Sequence, residues 1–226
     1  MKVKFGAIVV DGRNKIGGHV MSKNRAGAYM RTKVTPVNPR SNAQNSVRSL
    51  LSAISIAWDG IGSAAVLAWN SAVSAWSKTD IFGDIKHPSG FNLFQRLNNN
   101  AMRVGGVMFP LPPIKEELSV LGTLSIGTVT VSAIPLTFDL QTLGTHEKLE
   151  ISATPAVSTG KSFVKSEYRI IGHSLTLSSG ACDCGSLYIA KFGSTGSGLN
   201  DFFISARIVN SETGQAGIPV SARYNS

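Results

Sequence analysis

The stretch from Gly12 to Arg40 limits what this chain can fold into more than any other. It reads GRNKIGGHVMSKNRAGAYMRTKVTPVNPR, carries Arg13, Lys15, Lys23, Arg25, Arg31, Lys33 and Arg40, and contains no carboxylate. Glycines punctuate it, and its apolar residues are too few to enclose a core, so it must lie on a larger body or grip one. Residues 1–48 hold 10 basic side chains against 1 acidic, whereas residues 114–226 hold 8 against 9. The net charge of +9 therefore belongs to the N-terminal arm and not to the chain at large. Such a patch favours nucleic acid, an anionic membrane surface or an acidic protein surface.

The rest of the composition is that of a folded protein of 226 residues, 42% hydrophobic and only 15% charged. That is enough chain for one large domain or two small ones. The opening MKVKFGAIVV is basic and then apolar, but the apolar run ends at Asp11. It is too short for a signal-peptide core or a membrane span, so a soluble protein without a cleaved leader is expected. Cys182 and Cys184 lie one residue apart, on opposite faces of an extended chain, which is poor placement for a disulfide.

Taken in order, Val3 to Val10 reads as a short strand ended by Asp11-Gly12, and His19 to Ser22 as a second pairing back on it. Ala28 to Val34 alternates, with Tyr29, Arg31 and Lys33 on one side and Ala28, Met30, Thr32 and Val34 on the other. Residues 1–40 are thus a basic β arm or small meander. After Pro36 and Pro39, Ser41 or Asn42 can cap a helix near 43–58, whose Val47, Leu50, Leu51, Ile54 and Trp58 form an apolar stripe. Ser63 is a candidate cap for a second helix near 63–77 with Val66, Trp69, Val73 and Trp76 on one face. A polar connection over 77–90 leads to a third helix near 90–102, with Phe91, Phe94, Leu97 and Ala101 inward. These make a helical unit over 41–104, and the tryptophans are read as its core.

Gly105-Gly106 and Pro110, Pro112 and Pro113 predict an extended linker over 105–116. Beyond it, short β-type runs recur between turn residues: LSVLGTL, TVTVSAI, LTFDLQ, KLEISA, FVKSEYRII, LTLSS, SLYIAKF, FFISARIVN and IPVSARY. That spacing predicts an antiparallel sandwich over 117–226, of the immunoglobulin or fibronectin-III kind. The fold class expected is therefore α+β.

The run GGHVMSKNRAGAYMRTKVTPVNPR and the helices after it resemble a loosely described family of tailed-bacteriophage and prophage proteins. The shared pattern is SKNR-x-G-x-Y-x-R, then NPR(S/T)-x-AQ, then W and WN. Ser22, Lys23, Asn24, Arg25, Gly27, Tyr29, Arg31, Asn38, Pro39, Arg40, Ala43, Gln44, Arg48, Trp58, Trp69 and Asn70 stand at its positions. Ser89 to Phe94 match a later SG-(F/Y)-N-L-F element, while Ala64 to Leu67 depart from it, being less charged. The resemblance covers roughly residues 12–100 and implies a structural protein of the virion, made in the host cytoplasm.

No reaction is indicated. His19, His87, His146 and His173 are scattered without metal-ligand spacing, and Cys182-Asp183-Cys184 alone reads as ordinary thiols. The run Gly193 to Gly198 lacks the Lys-Ser/Thr of a phosphate loop and reads as a hairpin connection. Glu116 and Glu117 are adjacent and face apart, and there is no G-x-S-x-G or H-E-x-x-H. The expectation is a non-enzymatic virion component that needs no cofactor, metal, membrane or small-molecule substrate. Its binding residues would be Arg13, Lys15, Lys23, Arg25, Tyr29, Arg31, Lys33 and Arg40. Its partners would be other virion subunits, in a homo- or hetero-oligomer, or the phosphate backbone of packaged DNA. The alternatives are a sequence-neutral DNA-binding protein and an adhesin-like surface module.

Overall fold

The computed structural model describes residues 1–194 and 201–225, so most of the glycine-rich run expected as a hairpin connection (195–198) lies outside the described residues. The chain divides into two units, one formed by Met1–Ser49 with Lys78–Lys86 and the other by Leu50–Ser77 with His87–Ser226. Helices and several antiparallel sheets make the fold α+β.

In the first unit, β1 (Asn14–Ile16), β2 (His19–Asn24) and β3 (Gly27–Thr32) form an antiparallel sheet in that order. Gly17 takes φ 55° in the tight β1–β2 turn, a conformation open to glycine at little cost. The N-terminus adds to the far edge of β3: Met30 N–H donates to Met1 O at 2.8 Å, and Val3 N–H to Ala28 O at 3.0 Å. The strand expected over Val3 to Val10 does not form, and only Lys2 bridges, to Tyr29. Its aliphatic end has no face to pack on, leaving Ile8 98% and Val10 85% exposed. Within the stretch expected as a polar connection, β4 (Lys78–Thr79) and β5 (Ile85–Lys86) form a small hairpin. Asp80 shapes its turn by accepting from Phe82 N–H at 2.8 Å and Asp84 N–H at 3.1 Å. No residue of this unit is buried.

The helix α1 (Asn42–Gly60) begins in the first unit and ends in the second. There α2 (Ser63–Ala72) runs on into a 3-10 turn, Val73–Trp76, and α3 (Gly90–Arg103) follows. Ser63 does not cap α2; Gly62 holds that position at φ 81° without a side-chain bond. Ser89 does cap α3, its hydroxyl accepting from Asn92 N–H at 3.1 Å. Ile54, Trp69, Trp76, Leu93, Phe94 and Leu97 form the helical core, and Trp69 meets Phe94 edge to face at 5.3 Å.

The segment expected as a linker is fastened to its neighbours. Trp69 Nε1 donates to Pro110 O at 2.7 Å. Fully buried Asn98 accepts from Phe109 N–H at 2.8 Å and donates to the carbonyls of Phe94 and Phe109 at 3.1 and 3.3 Å. Gln215 pairs with Glu116 as a strand would, accepting from its N–H at 2.8 Å and donating to its carbonyl at 2.7 Å. Helices and sheets lie in one unit, and these hydrogen bonds tie them together.

The remaining strands are β6 (Leu124–Ile126), β7 (Pro135–Phe138), β8 (Glu147–Ala153), β9 (Arg169–Leu175), β10 (Ala181–Asp183), β11 (Phe202–Asn210) and β12 (Val220–Tyr224). They form two antiparallel sheets, β10-β7-β6 and β12-β11-β8-β9. A common core lies among them, including Leu136, Leu149, Ile151, Phe202, Ile204 and Ile208. Several runs expected as strands are wholly or mostly not, and LSVLGTL and LTLSS contribute only Leu124 and Leu175 to strands. SLYIAKF forms α4 (Gly185–Phe192), and the whole of TVTVSAI is the irregular connection between β6 and β7. A helix places Tyr188 and Phe192 one turn apart with rings 4.7 Å from each other, and lets the buried Tyr188 hydroxyl donate to Thr154 O at 2.9 Å. That tertiary packing overrides a seven-residue apolar run whose period is ambiguous.

Candidate docking surface

The first unit contains 12 Lys and Arg against 3 Asp and Glu, so it holds the whole net charge of +9 and the second unit is neutral. Within it, strand register decides which cations meet. Lys15, Val20 and Arg31 stand in one cross-strand row, and Ser22 and Tyr29 in the next, on the same face. Arg13, Lys23, Tyr29 and Arg31 line an open depression of about 390 Å³ on this sheet. Arg25 sits in the β2–β3 turn, Lys33 lies just past β3 and Arg40 precedes α1, so none of these three lines it. Tyr29 is half-buried, with its backbone paired to Lys2.

Arg13 differs from its neighbours because its Nε is 3.1 Å from Asp11, which offsets part of its charge. Lys15, Lys23, Arg25, Arg31, Lys33 and Arg40 make no ion pair among the described residues. They are solvated cations, three on the sheet and three beside it, available to an anionic partner at little desolvation cost.

Sequence reasoning missed the contact that holds the arm in place. Lys2 Nζ reaches Asp80 at 3.2 Å and Lys4 Nζ reaches Asp84 at 3.0 Å, while Lys4 also lies over the Phe82 ring at 5.3 Å. Burial alone would raise the Asp80 pKa, but the Phe82 N–H, Lys2 and the Asp84 N–H outweigh it and hold it below the ordinary 3.8. Asp84 is held below 3.8 chiefly by its hydrogen bond from Lys4. The alternation of Lys2 and Lys4 was the only available signal, and their partners lie about eighty residues away.

Among the described residues, no group of three or more His, Cys, Asp and Glu side chains could hold a metal ion, and no single helix is long and apolar enough to cross a membrane. Cys182 and Cys184 are free thiols. Burial pushes Cys182 up to about 11 and Cys184 up to about 12, with Asp183 adding to both.

The geometry defines a basic, coreless β unit joined through a helix to a neutral unit of helices and two sheets. No family model, curated protein or solved structure matches the chain.

Proposed function

We propose that this chain is a structural component of a tailed-bacteriophage particle, associated with its capsid, head–tail junction or tail. Made in the host cytoplasm, it would dock its basic N-terminal unit on an anionic surface of a neighbouring subunit. The observation that carries this reading is that the first unit holds all the net charge yet has no buried residue. It also leaves Ile8, Val10, Ile16, Val34, Val37 and Ile81 exposed. Aliphatic side chains gain little from a phosphate backbone but gain burial against protein. The second unit is neutral and supplies no complementary charge, so the favoured partner is a different, acidic subunit. The resemblance over residues 12–100 supports placing that subunit in a phage particle. Catalysis has no part in this role.

We read the two-sheet region as an immunoglobulin or fibronectin-III-like sandwich. The support is its strand order: the first, second and fifth strands form one sheet, and the fourth, third, sixth and seventh the other. In this role it would be the spacer or handle that carries the basic unit.

Mass spectrometry and fractionation of purified particles test the proposal. The chain should co-sediment with particles in fixed copy number, and high salt or deletion of residues 1–40 should release it. A monomer absent from particles would remove the proposal. DNA is the second reading, favoured by the grouping of Arg13, Lys23, Tyr29 and Arg31 around one depression. It predicts retention on DNA that falls steeply with salt and is equal for unrelated sequences.

A further inference from the structure

A second site stands on the outer face of the four-stranded sheet, within the neutral unit. Glu150 on β8 lies directly opposite Arg207 on β11. Its neighbours Leu149 and Ile151 face the core, so Glu150 points outward, yet its side chain is only 4% exposed because cations crowd it. Arg207 Nε donates to Oε1 at 2.7 Å, and its Nη2 stands 2.7 Å from the same oxygen. Arg103, in the last turn of α3, approaches Oε2 at 3.1 Å, and His173 Nδ1 on β9 stands 3.5 Å from the same oxygen. One carboxylate thus serves two guanidinium groups and an imidazole, and at least one positive charge is left over in a partly desolvated place.

The next row of the sheet explains where that charge is directed. Ser152, Ser205 and Ser221 stand side by side across β8, β11 and β12. Ser205 Oγ donates to Val220 O at 3.1 Å and keeps its lone pairs open, while the Ser152 hydroxyl has no partner among the described residues. Ser152 and Ser205 line a depression of about 270 Å³ together with Glu150, Tyr168, Ile170, Arg207 and Pro219. Serine is a poor strand former, and branched side chains would pack better on a face with no binding task. The glutamate holds the Nε and Nη2 atoms of Arg207, and Nη1 makes no hydrogen bond among the described residues. A planar guanidinium fixed along one edge presents another to a second carboxylate.

We propose that this trough binds an acidic sugar, with the uronate carboxylate on the free edge of Arg207 and ring hydroxyls on Ser152 and Ser205. The apolar face of the sugar ring covers Tyr168. Glu150, itself held by Arg103 and His173, is the positioning residue that keeps Arg207 aimed. The site is independent of the basic N-terminal unit and of its partner.

The test is an NMR titration of the full-length chain with a four-residue oligogalacturonate, its neutral methyl ester, and inorganic sulfate. The acid should give saturable shifts at Arg207 Nε–H and at the Ser152 and Ser205 amides, with binding about tenfold or more tighter than the ester or sulfate. Arg207→Lys keeps the charge beside Glu150 and removes the planar edge, so it should weaken binding about tenfold. Ser152→Val, on an outward sheet position where valine is well tolerated, should weaken it comparably without loss of fold. Equal binding of acid and ester, sulfate binding as tightly as the oligomer, absence of saturable shifts, or affinity unchanged in both variants would each overturn the assignment.

Discussion

Gly214 lies directly against the backbone of Leu97: a Cβ built on Gly214 would stand 1.9 Å from the Leu97 carbonyl oxygen. Gly214 also takes φ 65°, a left-handed conformation, and its own carbonyl accepts from Asn100 Nδ2 at 3.0 Å. The turn after β11 is thereby seated on α3. Gly214→Ala should destabilise the second unit by at least about 2 kcal/mol, because strain and a backbone clash add. In a thermal melt that appears as a midpoint lowered by roughly 5 °C or more. A midpoint within a degree of the parent would show that α3 and the turn after β11 are not seated on one another.

Asn98 gives a second measure of the same seam. Replacing it by Ala leaves the Phe109 N–H and two carbonyls without their buried partner. The expected cost is about 2–4 kcal/mol. Amide exchange at Phe109 should accelerate more than exchange in β8 or β11, since the lost bond is local.

The clasp between Lys2, Lys4 and the 80–84 turn predicts a pH dependence confined to the first unit. Asp80 and Asp84 have folded pKa values below the ordinary 3.8. Their contribution is therefore fully present above the unfolded pKa and is lost as pH falls through the depressed folded values. Exchange protection of the Val3 and Met30 amides should persist at pH 5 and be lost only as pH falls below the ordinary 3.8. Asp80→Asn should loosen the same amides already at neutral pH. Protection at pH 2 equal to that at pH 7 would contradict the clasp.

The thiols should be inert in the native protein. With Cys182 raised to about 11 and Cys184 to about 12, almost no thiolate exists at pH 8. Alkylation by iodoacetamide should be slow in buffer and fast in denaturant, followed by mass. Rapid native labelling of Cys184 would mean that α4 opens readily.

What was legible in the sequence was what repeats locally. Leu50, Ile54 and Trp58, or Phe94, Leu97 and Ala101, recur at helical spacing, and α1 and α3 bury the partners that spacing implies. The alternation around Tyr29 and Arg31 likewise placed both on one face of a strand. The failures have physical causes of a different kind. SLYIAKF was too short to declare its period, and only contacts with Thr154 and Phe202 made it a helix. Val3 to Val10 has strand-forming residues but no surface to lie on. Lys2 with Asp80, and Arg103 with Glu150, are pairs from distant parts of the chain, and no local pattern announces them. Glu150 itself is unremarkable until register sets it opposite Arg207.

The segregation of charge has a kinetic meaning. The cations on Met1–Ser49 and Lys78–Lys86 make the force on this molecule near any anionic body act on one quarter of its residues, while the remainder feels almost none. A diffusing copy would be turned before it touches, arriving sheet first at low ionic strength and at random orientation once salt shortens the reach of the field. Encounter with such a body would then be limited by how often copies arrive and not by how they search for their pose.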